Sequence, residues 1–439
     1  MFYHFTVVLI LLSGSMVFAQ MFRGRVRDKL TPVIFALIIF AQAARIATHN
    51  PIFVYFALFM TSVGVSFLSN GYALSDMRRN PVLVAFLLFW FYLLLSTFWG
   101  DCTLISFLTF CHVLLGPIAA GYFTGMWAIK DERRWQRLCV FLLVTTLLIC
   151  VAYAYKGIFL GDMNGVGDQQ VQAGFGGDMA TSEDGGANVN AIGLMAAGLL
   201  SMPIVSLFMS FHTIRFLRNK EWMVKGIGGG LALILALIIV RTGSRNSALA
   251  FFPVLCYGLF SHTGLGVVKK WFLIGCLVVA AIFLVGRHIS KGTELRMFKY
   301  VSDTTTVWDD GFGGNRLGMF RDRLYGLKAG KYFWGNGALI SYPRREIGNG
   351  HSVYFQVFYQ SGFLGMFLMM IFFGLISIKM FSRNRMKGIA ALMFGIWAIT
   401  GLGESQNILL GGVSKYFLGM GIAFCTNLKF RQPWLPFNR

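Results

Sequence analysis

Apolar runs of roughly 16–25 residues, each long enough to cross a bilayer, recur along almost the whole chain and are separated by short polar turns. They predict spanning helices near 3–20, 30–47, 51–69, 81–99, 103–127, 138–154, 189–211, 226–240, 247–263, 271–286, 363–379, 388–403 and 412–427. The fold class expected is an all-α polytopic membrane protein of about 12–13 transmembrane helices. Two longer polar excursions interrupt the pattern. Residues 155–188 are rich in glycine and carry Asp162, Asp168, Asp178, Glu183 and Asp184, whereas 287–362 is basic. The chain thus divides into 1–286, with ten spans and the 155–188 loop; 287–362, a basic loop carrying short amphipathic helices; and 363–439, with the last spans and a tail.

Composition agrees with this pattern. Of 439 residues, 56% are hydrophobic and 13% charged, which leaves too little polar surface to cover a soluble fold of this length. The formal net charge is +21, from 39 Lys and Arg against 18 Asp and Glu. In a soluble chain that excess would point to nucleic acid; here its placement points to topology. Arg23, Arg25, Arg27 and Lys29 follow the first span, and Lys130, Arg133, Arg134 and Arg137 the fifth. Arg215, Arg218, Lys220 and Lys225 follow the seventh, Lys269 and Lys270 the ninth, and Lys379, Arg383, Arg385 and Lys387 the eleventh. These clusters fall on alternate loops, which the positive-inside rule makes cytoplasmic, so 155–188, 241–246 and 287–351 face the other side. The first apolar run has no Lys or Arg before it and four after it. That is the reverse of a signal peptide, and the segment is expected to stay as an uncleaved span.

The seven cysteines lie almost entirely in predicted spans, with no CxxC spacing, so neither a disulfide framework nor a zinc site is expected. Asp303, Asp309 and Asp310 match no metal-ligand spacing, and no phosphate-binding or dinucleotide-binding glycine motif occurs; no metal and no cofactor are expected.

Three places carry candidate chemistry. Arg241-Thr242-Gly243-Ser244-Arg245 ends the eighth predicted span on the external side. Gly243 allows a tight turn, Ser244 can cap the following helix, and arginine beside a helix N-terminus is a phosphate-binding arrangement. Arginines at a membrane boundary also anchor helices, and local chemistry leaves both readings open. The second place is 314–324, where Leu317, Phe320, Leu324 and Leu327 recur at helical spacing and predict an amphipathic surface helix. Contact with lipid headgroups accounts for Arg323 and Lys328, whereas Arg316, at the start of the helix, is placed to face a ligand; Arg321 is a further substrate-binding candidate. The third is His351, which follows Gly348-Asn349-Gly350 and precedes an aromatic run leading into a span. Like charge from nearby arginines disfavours the imidazolium, and a neutral imidazole can act as a general base.

These segments resemble, in order, the O-antigen ligase and O-antigen polymerase superfamily of bacterial inner-membrane glycan transferases. Asn188-Val189-Asn190-Ala191-Ile192-Gly193 followed by Pro203 is similar to the family's asparagine-led span, and Thr242-Gly243-Ser244-Arg245-Asn246-Ser247-Ala248 to its Ser-Arg-Gly-Ala turn. Asn315-Arg316 with Phe320 and Gly335-Asn336-Gly337 is similar to its arginine, short helix and glycine turn; His351 with Gly362-Phe363-Leu364-Gly365 is similar to its histidine motif. The likeness covers about 188–380 and departs from the pattern at Asn246, where the family has glycine, and at Ser352, where asparagine commonly follows the histidine. The resemblance implies transfer of a glycan from undecaprenyl diphosphate, without metal, at the periplasmic face of the inner membrane. It assigns Arg245 and Arg316 to the diphosphate and His351 to activation of the acceptor hydroxyl. Arg241, Ser244, Arg321 and Asn190 are expected to help bind substrate. The partners it implies are the undecaprenyl-diphosphate-linked glycan, an acceptor glycan (lipid A core or a second lipid-linked chain) and membrane lipids, with no nucleic acid. A polymerase of the same superfamily is the alternative within the class. A flippase for the same lipid-linked sugar is the alternative outside it, disfavoured because the spans are nearly free of charge.

Overall fold

A computed structural model describes residues 25–48, 51–69, 78, 80–99, 115–155, 189–242, 245–262, 331–337, 353–380, 385–401 and 413–425. The regular elements among them are helices, with no strands. We number them α1 (Arg25–Thr48), α2 (Pro51–Ser69), α3 (Pro81–Ser96), α4 (Gly116–Ala128), α5 (Glu132–Tyr155), α6 (Val189–Leu199) and α7 (Ser201–Leu207). Then come α8 (Glu221–Arg241), α9 (Arg245–Ala248), α10 (Phe251–His262), α11 (Lys331–Trp334), α12 (Val353–Met380), α13 (Arg385–Thr400) and α14 (Ser414–Phe424). Four stretches are long and apolar enough to cross a bilayer: Pro81–Trp99, Glu132–Ala154, Glu221–Val240 and Val353–Lys379. The chain is therefore built as a multi-pass membrane protein. Leu88, Phe91 and Leu95 on α3 and Phe363, Phe367 and Met370 on α12 leave exposed apolar stripes, as a lipid-facing helix surface requires.

The basic loops predicted to share one side meet at one end of the bundle. Arg134 donates to Asp28 at 2.7 Å, joining the start of α5 to the start of α1, and Trp127 Nε1 donates to the same carboxylate. Glu221 accepts from Ser210 Oγ and from the Phe211 amide, and Thr213 donates its backbone N–H to Gln136 Oε1. The far end of α14 belongs to this end too, because Phe424 packs edge-on against Trp135 with ring centroids 5.3 Å apart. Asp28 and Arg134 are both substantially solvated (42% and 26% exposed), so the pair adds little. Asp28→Asn should lower thermal stability by less than about 1 kcal/mol, measured by unfolding in detergent.

Lipid gives helices no hydrophobic reason to associate, so close contact through small residues does the work. A Cβ on Gly121 would lie 1.9 Å from the Tyr416 carbonyl oxygen, and one on Gly419 would lie 2.0 Å from that of Ile118. Glycine on both helices therefore lets the α4 and α14 backbones touch. Beside this seam, the buried hydroxyls of Thr61 and Tyr416 share a hydrogen bond of 2.9 Å.

α12 reads as one 28-residue helix but is two. Gly362 sits at φ 62°, ψ −161°, a conformation open to glycine and closed to most other residues. The helix folds back there. The rings of Tyr354 and Phe373 lie 5.8 Å apart, whereas a straight helix would separate these residues by roughly 28 Å at 1.5 Å per residue. Phe358 and Phe363 flank the bend at 5.0 Å. Residues 353–361 thus form a short helix that runs to an apex at Gly362, and 363–380 return beside it. Residues 353–361, expected to belong to the polar loop, are helical, and their polar side chains Gln356, Gln360 and Ser361 are buried.

The apex is clasped by α11 and the turn after it. The amides of Asn336 and Gly337 donate to the carbonyls of Tyr359 and Gln360 at 3.0 and 2.9 Å, satisfying helix-end acceptors that the bend leaves open. Gly335, at φ 78°, passes so close that a Cβ would lie 2.3 Å from the Gln360 carbonyl carbon. Tyr92 on α3 donates to the Trp334 carbonyl from the other side.

Candidate functional site

The segments that bear candidate residues converge at the end of the bundle opposite the basic loops. α7 and α8 run antiparallel: Glu221 lies beside Phe211, and a Cβ on Gly228 would touch Ser206 Oγ and approach the Pro203 carbonyl. Carried up the pair, this register brings Arg241, at the end of α8, level with the first turn of α6, which holds Asn190. Thr242 closes α8 with its amide bonded to the Ile238 carbonyl and its hydroxyl to that of Ile239. α9, which begins at Arg245, then packs against α6, α8 and α13 together. Ser247 within it is fully buried, so α9 is seated in the bundle and is not a free surface turn.

α13 links this group to the neighbourhood of His351. Its final turn is the platform on which the short half of α12 starts: the Val353 amide donates to the Gly401 carbonyl at 2.9 Å, and Tyr354 Oη donates to the Ala398 carbonyl at 2.6 Å. The C-terminal end of one helix thus meets the N-terminal end of another, aligning their dipoles favourably. Val353 is two positions after His351.

Asn190, Arg241 and Arg245 are thereby placed by their backbones on α6, α8 and α9. His351, Arg316, Arg321 and Ser244 lie outside the described residues, as do the predicted loop 155–188, most of 287–351 and the predicted spans 3–20 and 271–286. α9 thus packs against α6, α8 and α13, and the end of α13 carries the start of α12.

Sequence reading passed over Lys415 and Trp397. Lys415 is 1% exposed, inside a stretch read as a nearly charge-free span. A lone lysine in an apolar run was the available signal, since an ionisable residue within the bilayer marks a site by default. Trp397 is buried, and its indole N–H meets no acceptor among the described residues. Family models, curated proteins and solved structures were all compared with this chain, and none matches.

Proposed function

We propose that this chain is a membrane-embedded glycosyltransferase of about 12–13 spans in a bacterial inner membrane. In this reading it moves a glycan from undecaprenyl diphosphate to an acceptor sugar hydroxyl at the periplasmic face. The observation that supports the reading is the packing of α6 and α9, which carry Asn190 and Arg245, against α13, with α8 and its Arg241 against α6 and α9, while α13 also holds the residue two positions after His351. Two jobs must meet at such a site. Guanidinium groups hold the diphosphate leaving group and take up its growing charge, and a base on the opposite side of the sugar draws the proton from the acceptor hydroxyl. In-line attack from that side inverts the anomeric centre. Arg245 and Arg316 take the first role, His351 the second, while Arg241, Ser244, Arg321 and Asn190 position the headgroup. The ligase reading is preferred, with a polymerase as its neighbour. A flippase would need ionisable groups spread through the bundle, and Lys415 is the buried charged side chain among the described residues.

The test is transfer by purified protein from an undecaprenyl-diphosphate glycan, with lipid A core and unmodified donor offered as separate acceptors. Product on the lipid A core identifies a ligase, and longer lipid-linked chains a polymerase. Arg245→Lys should lose at least tenfold in rate, because an ammonium cannot reproduce a two-pronged contact. Near-normal rate in that variant would reduce Arg245 to a helix anchor. EDTA should leave the rate unchanged.

A further inference from the structure

The link between α7 and α8, residues 208–220, is built on a three-residue period. The amide of Ile214 donates to the Phe211 carbonyl, that of Leu217 to Ile214, and that of Lys220 to Leu217. Side chains three apart eclipse in such turns, so Phe211, Ile214 and Leu217 share one edge and pack on the core. Arg215 and Arg218 share another edge and are exposed. The link is pinned at both ends. Thr213 bonds to Gln136 of α5 through both its amide and its hydroxyl, and Glu221 accepts from Ser210 and from the Phe211 amide.

The charge on this link is one-sided. Its nearby carboxylates are already engaged. Glu221 also meets Lys225 at 3.7 Å, Glu132 holds Gln136 and lies 3.6 Å from His212, and Asp131 caps α5 at the Arg133 amide. Arg215, Arg218 and Lys220 are exposed and meet no carboxylate among the described residues. Like charges held on one pinned edge repel each other, and an anion between them removes that cost. A solvated basic face accounts for the cations but not for the rings beside them. Phe216 and Trp222 are each 73% exposed, and Lys220 Nζ stands 4.7 Å from the Phe216 ring centroid. Trp222 lies in the first turn of α8, four residues before its apolar run begins at Gly226, which is the depth where bilayer hydrocarbon gives way to headgroups. Rings at that depth rest among the headgroups and bring the three cations level with the phosphates.

We infer that the α7–α8 link is a binding site for an anionic phospholipid. Arg215 and Arg218 take the headgroup phosphate, which a guanidinium fork meets with two parallel bonds, Lys220 adds charge, and Phe216 and Trp222 seat the glycerol end of the chains. The site is independent of the transferase reading, and no transfer step enters its test. The experiment melts full-length protein in a neutral detergent while titrating phosphatidylglycerol or phosphatidylcholine, because a ligand of the folded state raises the melting point as its site fills. Wild type should reach half its shift at about tenfold less phosphatidylglycerol than phosphatidylcholine, and the preference should shrink as salt is raised. Arg215→Gln with Arg218→Gln should erase the preference while melting like wild type without lipid, since both side chains are exposed. Lys29→Gln with Arg78→Gln removes the same charge from two other exposed positions and should leave the preference intact. Phe216→Ala with Trp222→Ala should weaken the response to both lipids severalfold and keep the preference. A wild type that does not distinguish the two lipids overturns the inference. So does an equal loss of preference in the two charge-removed pairs, which would make it a property of net charge. If the double arginine variant fails to fold, Arg215→Gln and Arg218→Gln taken singly decide: each should lose part of the preference, and no loss in either sinks the site.

Discussion

His351→Ala should abolish glycan transfer, with a fall of about 10²–10⁴-fold in rate, the range that a general base contributes. The expectation follows from placement. Val353, two positions on, is pinned to the Gly401 carbonyl, and Tyr354 to that of Ala398, so the chain after His351 is held on the same helix that α9 and α6 contact. The loss should be specific to chemistry. Both anchors are made by residues other than His351, so the variant should reach the membrane, run as a single species on gel filtration and melt within a few degrees of wild type. Donor binding should persist, because it is assigned to arginines and not to the imidazole. A rate within tenfold of wild type would remove His351 from the role of base. Loss of both rate and donor binding would make it a structural residue of the headgroup site instead.

Gly362→Ala should be strongly damaging. Alanine at φ 62° with ψ near −161° is strained by about 1–3 kcal/mol, and its Cβ would lie 2.4 Å from the Phe333 carbonyl oxygen, a backbone atom with little freedom to yield. Relief requires either straightening the hairpin or expelling α11, and either breaks the bonds from Asn336 and Gly337 to Tyr359 and Gln360. The variant should melt markedly lower, be cut by protease near 331–337, and lose transfer. Gly374→Ala is the control: it lies in the descending half of the same helix with nothing within 4 Å of the added carbon, and it should be indistinguishable from wild type. Equal melting of the two variants would mean that the helix does not fold back.

The residues that made these features legible or hidden are specific ones. Hydropathy alone placed α3, because Pro81 starts it, Asn80 caps it with its side chain, and an unbroken apolar run fills it. The basic loops were equally readable from charge, and the Asp28–Arg134 pair now joins two of them. The hairpin was hidden because Gln356, Gln360 and Ser361 break the apolar pattern, as a loop would, whereas here they turn inward (7%, 2% and 0% exposed). Polarity marks water-facing loops in a soluble chain, but in lipid it equally marks the face turned to the protein. Lys415 escaped notice because one cation barely shifts the average over a span. The candidate site was legible in part: the order of motifs brought forward Asn190, Arg241 and Arg245, and the packing of α6, α8 and α9 on one another depends on antiparallel registers that no local pattern records.

The glycine seam between α4 and α14 also sets a timetable. Gly121 of α4 meets the Tyr416 backbone of α14 across a separation of 416 − 121 = 295 positions, and at synthesis rates of about 5–20 residues per second α4 must wait tens of seconds for its partner. Until then the face of α4 that bears Gly121 and Gly125 has only lipid against it, with no bulky side chain to fill the groove. A helix made late is thus the one that locks the earlier ones together. A nascent chain halted before Ser414 should remain inserted yet loose, open to the membrane's quality-control proteases until α14 arrives.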